Sequence, residues 1–388
     1  MSGLSDFFSP LDAAAFGQPG DYIKGQFGLS IDAYVHAFPS LEETHLALIG
    51  VQDDRRAIGN EGAQLAPDAI RKQLYLLNEG DFELKMADLG NIVAGDTPRD
   101  TYFALKTVVS ELIRRNIVPV IIGGGQDLTY GQYWAYEDLE QKVDLVVLDS
   151  HFDLEDEEDV NSRSFLNKVI LHEPNYLFNY ANIGYQTYYV NQDSIRLMQK
   201  LYFDVYRLGE ISSNVAESEP VIRTADMLSV DIGVIRQSDA PGNANVHPNG
   251  FYGEQVCQMM RYAGMSDKLS SLGIYEYNPK YDQRGQTAAL IAQMIWCFTE
   301  GYYSRKEDRP LTSKSGFTKY RATFKDSEHE VVFYKSRKTD RWWMQIPYPN
   351  TKTKNERFHL VPCSYQDYQT AVGGEMPDRW WRNFQKLV

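Results

Sequence analysis

The sequence predicts an α/β fold: a mainly parallel sheet covered on both faces by helices, followed by a small antiparallel β add-on at the C-terminus. Three observations predict it. Through residues 1–300, short apolar runs that end in polar residues take turns with stretches of helical periodicity. Those runs are continuous rather than alternating, as in strands buried on both faces. Past residue 300 the pattern changes to polar–apolar alternation, which suits a meander.

In chain order, residues 1–44 hold short apolar pieces broken by Pro10, Pro19, Gly20 and Pro39, an arm expected to pack on the body. Leu46 to Val51 is an apolar run that stops in Gln52-Asp53-Asp54, a strand followed by a loop. Pro67 sits in the first turn of a helix that runs on through Ile70 and Leu74. A short strand is expected over 84–89, then a helix over 101–115 with Phe103, Leu105, Val108, Val109 and Leu112 on one face. The strand 118–122 ends in Gly123-Gly124-Gly125-Gln126-Asp127, and a helix is expected over 128–140. Further strand ends follow at Val205 to Gly209, Met227 to Asp231 and Leu272 to Glu276, and a helix over 287–299 closes this part. Residues 45–300 are therefore read as one α/β domain.

Leu145 to Leu148 is the run that points most directly to chemistry, because it stops in Asp149-Ser150-His151-Phe152-Asp153. If the strand continues, its two-residue period places Asp149, His151 and Asp153 on one face. They would then lie at the carboxyl end, where open α/β sheets bind their ligands. A solvated acidic turn is the alternative. Other strand ends carry Gln126, Asp127, Asp231 and Glu276, and a parallel sheet brings such ends to one crevice. Oxygen and imidazole donors without thiolate suit manganese or magnesium better than zinc.

The formal charge of the 388 residues is −14, which argues against bulk binding to nucleic acid or anionic membrane. It is uneven: residues 301–388 hold 17 Lys and Arg against 10 Asp and Glu, a net +7, which leaves −21 in residues 1–300. Residues 301–388 therefore read as a separate basic extension, with strands over 317–324, 329–334 and 341–346 and a turn at 325–328. This extension holds Trp342, Trp343, Trp380 and Trp381, four of the six tryptophans. Such a hairpin can stack single-stranded bases, but the aromatics are better read as the extension's own core docked on an acidic body. Cys257, Cys297 and Cys363 stand far apart in sequence, as buried free thiols of a reducing compartment would. No apolar stretch nears the roughly 18 residues of a membrane helix, and the N-terminal residues lack a secretory pattern, so the expected location is cytoplasmic.

At its chemistry-bearing residues the sequence resembles the ureohydrolase family of arginase, agmatinase and formimidoylglutamase, with the formimidoylglutamase-like members as the suggested subgroup. Asp149-Ser150-His151-Phe152-Asp153 is similar to the family's Asp-Ala-His-x-Asp motif. The segment from Ser229-Val230-Asp231 to Asp239-Ala240-Pro241-Gly242 resembles its Ser-x-Asp-x-Asp block. Gly123 to Tyr130 resembles its Gly-Gly-Asp-His-Ser strand end, and Gly62 to Arg71 and Glu276 to Pro279 its first and last signatures. The resemblance implies a three-layer α/β/α sandwich with an eight-stranded, mainly parallel sheet, a homo-oligomer, and two manganese ions sharing a hydroxide that attacks a guanidinium or formimidoyl carbon. Carried over residue by residue, Asp149 and Asp231 bridge the ions, Asp153 holds the first, His151 holds the second, and Glu276 takes the substrate's cationic end.

The sequence departs from that pattern at four places. Gln126 stands where the family has a histidine ligand, Gly233 where it has a second aspartate, Gly125 where an aspartate supports the site, and Arg236 where an acidic residue is usual. With fewer charged ligands, affinity for two divalent ions should fall, so zero or one ion is expected rather than two. The expectation is a degenerate, impaired or non-catalytic hydrolase with a binding or scaffold role, its partner met through the C-terminal extension. The alternative is an active metal-dependent hydrolase of a linear amidine or guanidino C–N bond, using one ion or a site rebuilt from Asp127 or the acidic run 154–159. Asn161, Ser164, Arg236 and His247 are candidates for the substrate pocket. His172 is a further imidazole whose match to a proton shuttle is weak.

Overall fold

The computed structural model describes residues 3–12, 21–309, 315–323, 330–347 and 358–387. Pro19, Gly20, Phe324, His329 and the expected turn at 325–328 lie outside the described residues. Strands are β1 (Phe8–Ser9), β2 (Asp32–Ala33), β3 (Leu46–Val51), β4 (Met86–Ile92), β5 (Val118–Ile122), β6 (Val143–Leu148), β7 (Leu177–Tyr185), β8 (Asp204–Arg207), β9 (Met227–Asp231) and β10 (Ser271–Tyr275). The order β4-β3-β5-β10-β9-β6-β7-β8 is parallel throughout, an eight-stranded core. The arm adds two short strands to the β4 edge, β1 antiparallel and β2 parallel, which makes ten.

Continuous apolar runs form these strands because both faces are covered. Leu46 and Leu48 of β3 pack among the helices Ala66–Leu74, Gly253–Gly264 and Gln286–Tyr303, whereas Ala47, Ile49 and Val51 pack against Pro98–Arg114 and Leu128–Asp138. A third cluster joins β6 and β7 to the helices Phe165–Ile170 and Gln192–Lys200. Two-residue alternation thus divides each strand between two dry layers.

The C-terminal part is a separate antiparallel sheet of β11 (Phe317–Thr323), β12 (Glu330–Ser336), β13 (Trp342–Pro347) and β14 (Phe358–Cys363). Trp342 lies in its core with Phe333, Met344 and Val361, and Trp380 of the helix Asp378–Leu387 packs against that cluster. Trp343 is buried on the other face, its indole 4.4 Å from the Arg223 guanidinium of the body. Trp381 is exposed. Neither β14 nor the helices Tyr365–Val372 and Asp378–Leu387 was expected from the sequence, and β7 was also missed, because Asn179, Asn182 and Gly184 interrupt its apolar run. Among the described residues no helix is long and apolar enough to cross a membrane.

Candidate active site

β6 does not continue into the ligand motif. It ends at Leu148, and the His151 N–H turns back to the Asp149 carboxylate at 2.8 Å, an Asx turn that competes with the ladder. Asp149 therefore points inward and is 1% exposed, while His151 faces the crevice and Asp153 adopts a left-handed backbone at φ +50°. The three residues meet through a turn rather than along one strand face.

The crevice has a volume of about 630 Å³ and lies at the carboxyl ends of β6, β9 and β10. Asp153, Asp231 and Glu276 line its floor, with His151, Arg163, Gly233, Asn243 and His247 on its walls. Tyr189 stacks on both imidazoles, 4.2 Å from His247 and 5.3 Å from His151, and the two imidazoles lie 5.4 Å from each other. Glu276, just past β10, has φ +66°, a strained conformation for a non-glycine residue. Its carboxylate is fixed by two donors, the Gln126 N–H at 2.8 Å and the Asn60 amide at 2.7 Å.

Burial and mutual repulsion dominate the electrostatics. Burial raises the Asp153 pKa well above the carboxylate range, and contact with Asp149 and the charges of Asp231 and Glu276 raise it further. Asp231 is raised by burial, then by Asp149 and Glu276, although the Gly233 N–H at 2.6 Å opposes this. Burial pushes Glu276 up to about 7 against its two donors. His247 is lowered by burial and by His151. Asp149 Oδ2 is buried and meets no hydrogen-bond donor. Four carboxyl groups so close together, with Asp149 and Glu276 buried, favour protons or a cation among them.

Other sequence candidates lie elsewhere. Asn161 and Ser164 close a local turn, the Ser164 hydroxyl accepting from the Asn161 N–H at 3.0 Å, and Arg236 pairs with Asp239 at 2.8 Å under the Tyr252 ring. Asp127 is hydrogen-bonded by the Tyr102 hydroxyl at 2.6 Å, and burial raises its pKa to about 8. Of the acidic run, Leu154 and Glu155 reach the crevice, while Asp159 pairs with Arg56. His172 bridges Tyr130 and Glu137 away from the crevice. Sequence reading missed Asn60, Tyr189 and Asn243. Asn60 had a weak signal in Gly59-Asn60-Glu61-Gly62, but its partner is 216 residues away.

The arginase family model matches residues 44–300, the segment that carries every residue of this crevice. The chain belongs to the arginase family. Among its relatives, the formimidoylglutamase of Staphylococcus haemolyticus is 26% identical over 281 residues, covering 66% of this chain and 86% of that one. That of Streptococcus pyogenes is 29% identical over 286 residues, covering 66% and 84%. The crystal structure of Trypanosoma cruzi formiminoglutamase with Mn2+ superposes at a TM-score of 0.64 with 21% identity, covering 69% of this chain and 97% of that one. The Bacillus subtilis formimidoylglutamase superposes at 0.65 with 20% identity, covering 72% and 92%. The C-terminal sheet lies outside the residues the family model matches. Manganese is the metal that the arginase family suggests. Among the described residues of this member, no three His, Cys, Asp or Glu side chains are grouped so as to hold a metal ion.

Proposed function

We propose that this arginase-family chain carries a degenerate binuclear centre, takes up one manganese ion or none, and acts as a binding or scaffold protein with little or no hydrolase activity. The observation that carries this reading is the pairing of Gln126 with Gly233. Gln126 offers a neutral amide, 1% exposed, whose Nε2 has no hydrogen-bond partner, in place of an imidazole. Gly233 offers no side chain, and a Cβ there would lie 3.5 Å from the Asn243 amide, another neutral group. A pair of manganese ions does not fit this donor set.

What remains is an acidic crevice suited to an organic cation. Glu276 is placed to accept hydrogen bonds from an amidinium or guanidinium, and Asp231 and Asp153 supply further negative charge as they ionise around it. The same reading divides the chain into arm 1–44, body 45–300 and basic extension 301–388, and gives the extension the role of engaging a protein partner. Metal analysis of protein purified without chelator tests the proposal. At most about one manganese per chain is expected; close to two, with amidine hydrolysis abolished by Asp149→Asn, would overturn it.

The second reading is an active hydrolase of a linear amidine or guanidino C–N bond working with one ion. It is favoured by Asp149 Oδ2, a buried acceptor without a donor whose carboxylate acts electrostatically on both Asp153 and Asp231. Manganese-dependent release of ammonia, formamide or urea from a panel of such compounds decides for it.

A further inference from the structure

Two thiols outside the crevice have no part in the reading above. Cys257 lies in the helix Gly253–Gly264 and Cys297 in the helix Gln286–Tyr303. These helices follow β9 and β10, neighbouring parallel strands, so they run side by side in the same direction over one face of the sheet. Glycines set how closely they approach. A Cβ on Gly301 would meet the Arg261 carbonyl oxygen at 2.3 Å, and one on Gly264 the Phe298 carbonyl oxygen at 2.1 Å. Across the same contact Arg261 Nε pairs with Glu300 at 2.7 Å.

One helical turn earlier on each helix, four residues before Arg261 and Gly301, stand Cys257 and Cys297, which line the same groove between the two helices and interact with each other through their side chains. Both are half-buried in an open groove with Leu77, Asn78, Glu254, Gln293 and Trp296. Cys363, by contrast, is 1% exposed within the C-terminal sheet. Three residues that look alike and distant in sequence are thus one neighbouring pair and one sealed thiol. Of the three thiols expected to be free and buried, all are free and Cys363 alone is buried.

We propose that Cys257 and Cys297 form a modification site, a dithiol that a soluble disulfide such as glutathione disulfide converts reversibly to an intramolecular disulfide clamping the two helices. Neighbouring thiols on two helices held this close by glycine reach the bonding distance of about 2.05 Å by side-chain rotation. Cys297 is taken as the entering group: the neighbouring Cys257 side chain lowers its pKa, and Arg261 adds to the effect against burial and Glu300. The Cys297 thiolate attacks glutathione disulfide, whose S–S bond breaks and releases one glutathione thiolate. The Cys257 thiol then loses its proton to solvent and attacks the Cys297 sulfur, releasing the second glutathione. Two protein thiols become one disulfide, and one glutathione disulfide becomes two glutathiones.

The test is to incubate the full native chain with excess glutathione disulfide, block remaining thiols with iodoacetamide, and weigh the protein and its peptides. The expected result is a loss of about 2 Da before blocking, a peptide linking Cys257 to Cys297, and no label on Cys363 until the chain is unfolded. Cys257→Ser should instead retain one glutathione on Cys297, since nothing remains to resolve it. Stable glutathione adducts on the wild-type chain without an internal link would overturn the proposal. So would links that involve Cys363 or join two chains.

Discussion

The Asn60 side-chain amide donates to Glu276 Oε2 at 2.7 Å across 216 residues of sequence, and the same amide donates to the Glu276 backbone carbonyl at 3.0 Å. Asn60 Oδ1 accepts from the Ala244 N–H and the Asn278 amide, each at 3.0 Å. One buried amide therefore ties the loops after β3, β9 and β10 together where the carboxylates meet. Asn60→Ala leaves a buried carboxylate oxygen without its donor, and a loss of about 2 kcal/mol in unfolding free energy is expected. In a Glu276→Ala background the same substitution should cost much less, because the partner is already absent. Urea denaturation of the two single variants and the double variant measures the coupling; additive losses would refute it.

Gly233 and Gln126 yield a gain-of-binding prediction. The Gly233 backbone does not have the positive φ that excludes side chains, and a Cβ there meets Asp231 Oδ1 at 3.1 Å, a contact that a small side-chain shift relieves. The variant with Gln126→His and Gly233→Asp should therefore fold and return an imidazole and a carboxylate to the crevice. Manganese content measured by atomic spectroscopy is expected to rise from at most one ion per chain to about two. Unchanged stoichiometry in a folded double variant would mean that those two positions do not govern the metal.

The parallel sheet was legible because burial on both faces demands continuous apolar runs, and Leu46 to Val51 or Leu145 to Leu148 can satisfy little else. β7 was not legible, because Asn179 and Asn182 break its run and owe their burial to partners in other segments: Asn179 bonds Asp204, and Asn182 bonds the His151 carbonyl. The acidic residues of the crevice were readable from their positions at strand ends. Asn60, Tyr102 and Tyr189 were not, since nothing local distinguishes a tyrosine that holds Asp127 or stacks on His247 from one that fills a core. Reading Asp149, His151 and Asp153 as one strand face assumed a regular period, and the Asx turn at Asp149 ended it.

Asp204, at the start of β8, anchors the last helix of the chain. Its carboxylate accepts from Lys386 at 2.6 Å and from the Asn179 amide at 3.1 Å, with Arg382 at 3.7 Å. Burial opposes its ionisation, but Lys386, Arg382 and Asn179 outweigh burial and hold its pKa below the ordinary value. A carboxyl with a depressed folded pKa stabilises the fold above its unfolded pKa of about 3.9, and that contribution disappears as pH falls through the lower folded value. Asp204→Asn should cost about 3 kcal/mol at pH 7, because it leaves Lys386 buried without its charge partner. The difference from wild type should hold down to about pH 5 and shrink below about pH 4. Denaturation at several pH values checks this, and a difference that grew on acidification would contradict the assigned sign.

Glu219 joins the body to the C-terminal sheet, and it serves two guanidiniums with one oxygen: Arg223 Nε at 2.9 Å and Arg341 Nε at 3.2 Å. Arg223 also donates to the Trp342 carbonyl at 3.0 Å, and Arg341 to the Met265 carbonyl at 3.2 Å. Burial lowers the Arg223 pKa, Glu219 opposes that shift, and Arg341 adds to it. Two cations against one carboxylate in a dry contact means that the pair depends on Glu219. Glu219→Gln should therefore destabilise the docking of the sheet by about 3 kcal/mol, visible as faster amide exchange in β13 and β14 with β5 little changed. Adding Arg341→Met removes one of the competing charges and should restore part of the protection, whereas Arg341→Met alone should cost less than Glu219→Gln. Equal exchange in wild type and Glu219→Gln would show that packing of Trp343 under Arg223, rather than the shared carboxylate, holds the two sheets together.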